Sequence, residues 1–478
     1  MSIDATSRPA LEDDDLRRLL QQVTARLLDK RAAAIAGVPD WDRLRDRARA
    51  IKRATLADLD RYLLQFEDQV TARGGVVHWA ADAMEACRIV EKIAAANHVR
   101  RIVKSKSMVS EEVGLNAALE HAALTPVETD FGEYIIQVAG ERPSHIIAPA
   151  IHKSRAEVGR LFAEKLRTPY TDDPEVLAGH ARVVLRGEFC AAHMGISGAN
   201  FGVASTGTIV IVENEGNARL CTTLPPVHVV LMGIEKLVPT IADLAVFLTL
   251  LPRNATGQAM SSYVSCITGP RRAGDATGPR QLHVILVDNG RTRMLADPVT
   301  RDVLTCIRCG ACQNACPVYR QIGGLSYGGV YAGPIGLLLG PGLEARTSPP
   351  DLPFVSTLCG ACAEVCAVKI DIPSVLLHLR RRAMAPGPNG PGKALPHRRL
   401  QRVLLGAWAA AMKGPGRYRV AGWFARTALR VLARGGRVRR LPPPFHGWTA
   451  VRDLPVPQRP FTRQGRTRSN GPGRRGVG

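Results

Sequence analysis

The spacing of apolar positions divides the chain into stretches of different texture. Over residues 11 to about 70, Leu16, Leu19, Leu20, Val23, Leu27 and Leu28 recur among charges every three or four residues, the period of a helix with one buried face. From about 74 to 292 short β-rich runs take over: GGVVHWA, RRIVKSKS, HIIAPAI, TGTIVIVEN, VHVVLMG and LHVILVDNG. Helical stretches such as AMEACRIVEKIAAANH and EEVGLNAALEHAA lie between them. That alternation predicts an α/β domain with a largely parallel sheet. A further helix is predicted to open near Pro373, where Ile372, Val375, Leu376 and Leu379 share one face. The expected plan is an N-terminal helical segment (1–73), the α/β domain (74–292), a cysteine-bearing module (298–382), a helical Pro/Gly-rich region (383–455) and a disordered Arg-rich tail (456–478).

Composition narrows the class. A hydrophobic content of 45% and a mean hydropathy of -0.03 suit a soluble globular protein, and no apolar run approaches the ~18 residues needed to cross a bilayer. The N-terminus, MSIDATSRPALEDDDLRR, has early acids and no apolar core, so it is expected to be neither secretory signal nor transit peptide, and a cytoplasmic location follows. Thiols there stay reduced, so the eleven cysteines are not expected to form disulfides. Cys87, Cys190, Cys221 and Cys266 are scattered and read as small core residues. The other seven crowd into 306–366.

Those seven carry the chemistry. Cys306, Cys309, Cys312, Cys316 and Pro317 follow C-x2-C-x2-C-x3-C-P, the ferredoxin run in which the fourth cysteine serves the other cluster. Fifty residues on, STLCGACAEVC repeats the pattern with Cys359, Cys362 and Cys366, but Ser356 stands where Cys306 stood and Ala367 where a proline is expected. Crossing the runs gives a complete site, Cys306, Cys309, Cys312 and Cys366, and an incomplete one, Cys316, Cys359 and Cys362. The predicted cofactors are two [4Fe-4S] clusters. The second has three open outcomes: Ser356 ligates through oxygen, the cluster is of the [3Fe-4S] type, or its fourth iron is open to water or substrate. Structural zinc fits poorly, because seven cysteines with no histidine between 301 and 377 do not make two closed sites.

Three stretches together resemble a known family: SKSMVSEEVGLNAALE (105–120), GISGANFGVASTGTIVIVENEGNARLCTTLPPVH (195–228), and the paired cysteine runs continued by VKIDIP. The chain is similar to lactate utilization protein B, the iron–sulfur member of a three-protein bacterial system oxidising L-lactate to pyruvate. The resemblance implies a lactate-utilization domain with a fold like ribose-phosphate isomerase and CoA transferases, followed by a two-cluster ferredoxin-like module. It also implies companion lactate-utilization subunits and a second cluster with three cysteine ligands.

In the α/β domain, the turn Ser205-Thr206-Gly207-Thr208 offers hydroxyls and N–H groups to an anion, or simply a turn. Glu213 and Arg219 follow, and an Arg fork suits a 2-hydroxy or 2-oxo carboxylate. Ser105, Lys106 and Ser107 read as a helix start or a second anion contact, and His152 with Lys153 as candidates for proton transfer or as structural residues. No flavin or nicotinamide fingerprint is present, since GxGxxG is absent from the strand-to-helix turns.

Charge is concentrated at one end. From Arg380 onward lie 23 of the 64 bases and one of the 42 acids, so this basic C-terminal extension carries the whole excess of +22. Contact with acidic partner subunits or an anionic membrane surface is the favoured reading over nucleic acid, because aromatic platforms are few. The function expected is an electron-transfer subunit of L-lactate oxidation. The alternatives are a catalytic subunit whose three-cysteine cluster grips a 2-hydroxy acid, and an iron–sulfur regulator binding nucleic acid through its tail.

Overall fold

The computed structural model describes residues 3–343, 348–384, 398–443, 445–449 and 453–456. Residues 1–394 make one compact unit and 395–478 a second.

In the first unit ten strands build two sheets: β1 (Val76–Ala80), β2 (Arg101–Lys104), β3 (Thr125–Glu128), β4 (Met194–Gly198), β5 (Phe201–Val203), β6 (Thr208–Glu213), β7 (Val227–Gly233), β8 (Leu237–Val238), β9 (Tyr263–Ile267) and β10 (Gln281–Val287). The six-stranded sheet is parallel throughout, in the order β1-β10-β7-β4-β2-β3. The four-stranded sheet, β8-β5-β6-β9, is parallel only where β5 meets β8. Strand β7 lies inside the parallel sheet and is buried along its whole length, as its unbroken apolar run demands. Its one polar member, His228, meets Ser197 Oγ at 2.8 Å, and burial holds its imidazole down at about 3, so it stays neutral.

After β2 the chain first adds β3 on one side and then crosses to place β4 on the other. Strand order reverses there, which opens a crevice beyond the carboxyl ends of β2 and β4.

Several expectations are corrected. TGTIVIVEN is strand β6, but in the second sheet. HIIAPAI (145–151) forms turns instead of a strand. Three of its N–H groups are taken by side chains: His145 Nδ1 accepts from Ile147 and Ala148 at 3.0 and 3.1 Å, and Gln313 Oε1 accepts from Ile146 at 3.2 Å. EEVGLNAALEHAA is two helices, Met108–Glu112 and Leu115–His121, broken at Gly114. Cys87 and Cys221 are buried as expected, whereas Cys190 and Cys266 are exposed.

Four N-terminal helices, Ile3–Glu12, Asp14–Ala36, Trp41–Ala57 and Leu59–Ala72, lie against both the sheets and the cysteine module. A single apolar cluster contains Leu20 and Phe66 from these helices, Val230 and Leu286 from the parallel sheet, and Leu338 and Leu376 beyond it. The helix near Pro373 is Ile372–Met384, with Ile372, Val375, Leu376 and Leu379 buried.

In the second unit, helices Arg398–Met412 and Pro415–Leu432 precede a two-stranded ribbon of β11 (Arg437–Val438) and β12 (Leu454–Pro455). The helix Pro415–Leu432 buries none of its residues. No described helix is long and apolar enough to cross a membrane. The tail expected over 456–478 lies, past Val456, outside the described residues.

Candidate functional site

The two cysteine runs adopt the same backbone. Arg308 and Gly310 have positive φ (61° and 73°), and so do Leu358 and Gly360 (55° and 86°). Short helices start directly after each glycine, Ala311–Ala315 and Ala361–Glu364. Left-handed residues on both sides of Cys309 and Cys359 curl each loop back on itself; an L side chain pays ~1–2 kcal/mol to sit there, and glycine does not. Backbone N–H groups point at the sulfurs: Arg308 to Cys306 at 3.4 Å, Tyr319 to Cys316 at 3.5 Å, and Ile370 to Cys366 at 3.3 Å. Ser356 stands in the Cys306 position of this turn, its Oγ accepting from Leu358 N at 3.1 Å.

Electrostatic contact sorts the thiols into two sets. Burial pushes Cys309 up to about 12, and nearby Cys306 and Cys366 add to that. Cys312 is raised by burial and then by Cys306, Cys309 and Cys366; Cys366 by burial and then by Cys306. Burial and then Cys359 raise Cys316, while burial followed by Cys316 and Cys359 takes Cys362 to about 11. Cys359 is exposed, and the Ala361 N–H lowers it. Cys366 therefore faces Cys306, Cys309 and Cys312 across the sequence, and Cys316 faces Cys359 and Cys362.

This donor set fits iron–sulfur clusters. Thiols buried together repel one another as anions, and a metal-rich core among them reverses that penalty while the N–H groups aimed at sulfur stabilise the thiolates. Two arginines of the N-terminal helices brace the second run. Arg45 donates through Nε to Cys366 O at 2.9 Å and through Nη2 to Glu364 O at 2.8 Å, and Arg31 donates to Val365 O at 3.3 Å. Sequence reasoning missed both, since they lie more than 300 residues from their acceptors.

Beside the first thiol set a cavity of about 270 Å³ occupies the crevice beyond β2 and β4. Ser105, Lys106 and Ser107 line it from the segment just after β2, Ala199 and Asn200 from that just after β4, and Arg308 and Tyr331 from the cysteine module. A buried ion-pair chain fixes the wall they share. Arg291 grips Glu112 with both terminal nitrogens (2.8 and 2.9 Å) and donates through Nε to Glu235, whose other oxygen faces Arg308 Nη2 at 3.3 Å. Tyr331 closes the chain by donating to Glu112 at 2.7 Å and lying 5.1 Å beneath the Arg308 guanidinium. Burial alone would raise the Glu235 carboxyl, but Arg291 and Arg308 outweigh it and hold it at about 2. Glu215, at the far side of the cavity, moves the other way: burial and then Asp130 raise it to about 7.

Glu213 lines the cavity but spends its oxygens on the N–H groups of Ala218 and Arg219, both at 2.8 Å. Arg219 does not line it and faces instead a surface recess with Arg73 and Thr268. His152 and Lys153 also lie elsewhere: His152 bonds Ser144 Oγ at 2.6 Å and Glu141 at 2.9 Å, and Lys153 pairs with Glu141. Ser107 caps the helix Met108–Glu112 by accepting from Ser110 N at 3.2 Å. Ser205-Thr206-Gly207-Thr208 is the turn between β5 and β6, with Gly207 N donating to Val203 O at 2.9 Å.

Residues 63–287 match the LUD domain, 302–370 the 4Fe-4S dicluster domain, and 378–464 the lactate utilisation protein B C-terminal family. Lactate utilization protein B of Anoxybacillus flavithermus is 42% identical over 435 residues, covering 91% of this chain and 90% of that one. Its namesake in Bacillus licheniformis is 39% identical over 450 residues, 94% of this chain and 93% of the relative. An Escherichia coli K12 protein named uncharacterized electron transport protein YkgF is 40% identical over 448 residues, 94% and 92% of the two chains. A crystal structure of a DUF162 family protein from Deinococcus radiodurans aligns with 48% of this chain and 98% of its own at 16% identity and a TM-score of 0.27, too low to carry a fold comparison. With identity near two residues in five sustained across nearly the full length of its relatives, the chain belongs to the lactate utilization protein B family.

Proposed function

We propose that this protein is the iron–sulfur electron-transfer subunit of a multiprotein system that oxidises L-lactate to pyruvate. One observation carries the reading: seven thiols from two distant runs gather as a largely half-buried set of four and a set of three. The 4Fe-4S dicluster match and the relatives' names support it. In this reading Cys306, Cys309, Cys312 and Cys366 hold one [4Fe-4S] cluster, and Cys316, Cys359 and Cys362 hold the other, with Ser356 Oγ as its fourth donor. Such clusters accept and release electrons singly. The chain's own part is to bury the sulfurs, supply N–H groups to them and fix both runs with Arg31 and Arg45.

The α/β domain is read as related to ribose-phosphate isomerases and CoA transferases. The protein works in the cytoplasm beside companion lactate-utilization subunits, with its basic extension against an acidic partner or an anionic membrane surface. Purified without oxygen, it should be brown and carry about eight irons per chain. Cys306→Ser should remove about half of that iron and of the visible absorbance. A colourless, zinc-loaded protein would overturn the proposal.

A further inference from the structure

The cavity beyond β2 and β4 holds a cation whose hydrogen-bonding capacity is largely unused. Arg308 is 7% exposed. Its Nη2 donates to Glu235 Oε1 and its guanidinium also faces the Cys306 sulfur, whereas Nε and Nη1 find no oxygen or nitrogen partner among the described residues. Buried donors are almost always paired, so two on one side chain at a cavity wall point to a ligand. Neither Nε nor Nη1 is the nitrogen that meets Glu235, so an anion in the cavity can be received at one of them without breaking that pair. Tyr331 supports the guanidinium plane from its face and takes none of its N–H groups.

The surroundings select the ligand. Lys106 and Lys236 line the same cavity, which adds two ammonium groups to the guanidinium. Lys106 already donates to Ile146 O. The facing acids are engaged with backbone: Glu213 with Ala218 and Arg219, Glu215 with Phe131 N at 3.0 Å, and Asp130 with Glu133 N at 3.1 Å. A single negative charge satisfies Arg308, while a second would be pressed against those three carboxylates. About 270 Å³ readily admits an acid of a few carbon atoms.

We propose that this cavity binds a small monocarboxylate, received by Arg308 and flanked by Lys236. The Arg308 amide donates to Cys306 Sγ at 3.4 Å, so the acid would sit one turn of backbone from the complete thiol set, not at the three-cysteine set. The inference deepens the electron-transfer reading and rests on it for the choice of a 2-hydroxy acid as probe.

The test is calorimetric titration of the full-length, anaerobically purified protein with L-lactate, pyruvate and inorganic phosphate, with iron content measured on every sample. Lactate or pyruvate should bind saturably at one per chain, with phosphate at least tenfold weaker. Arg308→Gln should weaken the acid roughly 10- to 100-fold, the loss expected for a charge-assisted hydrogen bond. Should that variant lose iron, Lys236→Met, remote in sequence from any cysteine, should still weaken binding several-fold with iron retained. Iron-loaded protein that binds neither acid, binds phosphate as tightly, or keeps wild-type affinity in Lys236→Met overturns this inference and leaves the electron-transfer reading standing. Acid binding by a chain that takes up no iron would do the reverse.

Discussion

At the scale of single residues, Glu215 gives the cavity a pH dependence. Burial beside Asp130 raises its carboxyl to about 7, so it is largely neutral in acid and becomes an anion as pH rises. An ionised Glu215 repels a carboxylate in the same cavity, so lactate affinity should fall as pH rises through about 7. Glu215→Gln should flatten that part of a titration series. Burial and the neighbouring Arg308 lower Lys236 to about 8, which leaves a later decline in both proteins. Glu215 contributes to folding with the same sign: its stabilisation is complete below the ordinary carboxyl value and is lost as pH climbs to the raised one. The residues around this cavity were only partly legible in the sequence. Lys106 and Glu213 belong to quoted motifs, but Arg308 was hidden as an ordinary spacer in C-x2-C. Its partner Glu235 lies 73 positions away, and Arg291 reaches Glu112 across 179, separations that no local pattern records.

At the scale of elements, the two cysteine turns share a shape but not a tolerance for change. A Cβ on Gly360 meets nothing within 4 Å, so Gly360→Ala should cost only its left-handed backbone, about 1–2 kcal/mol. On Gly310 the same atom lies 3.0 Å from Ile147 Cγ1, and Gly310→Ala should destabilise the protein more; thermal melts of the two variants will rank them. Arg45→Ala should loosen the second run by freeing the Glu364 and Cys366 carbonyls, seen as faster iron release to a chelator with the far-ultraviolet spectrum unchanged. Helices with strong apolar periodicity were readable, as Ala83–Ala96 and Ile372–Met384 show. Strand β3 was not, because TPVE is short and holds a proline, which its place at the sheet edge allows. Strand β4, MGISG, has too few apolar residues to announce itself and is ordered by neighbours on both sides.

At the scale of the whole molecule, the linear plan of successive modules meets a continuous interior. Phe66 and Val70 of the N-terminal helices share one apolar cluster with strands of both sheets and with the cysteine module. A fragment limited to residues 74–292 would bare that surface, and size-exclusion chromatography should find it aggregated where the full chain is not. The α/β class and the ligand-bearing runs were visible because periodicity and cysteine spacing are local; the packing of helices 3–72 over both was not, because it depends on contacts made across the chain.

If Cys366 completes the set begun at Cys306, as proposed, an order of events follows during synthesis. During synthesis the first three thiols leave the ribosome well before the fourth, so no complete ligand set exists on a nascent chain that stops short of the second run. On the proposed ligand sets, metal loading would wait for the later segment to emerge and dock, and a transcript truncated between the runs should yield a polypeptide that matures neither cluster.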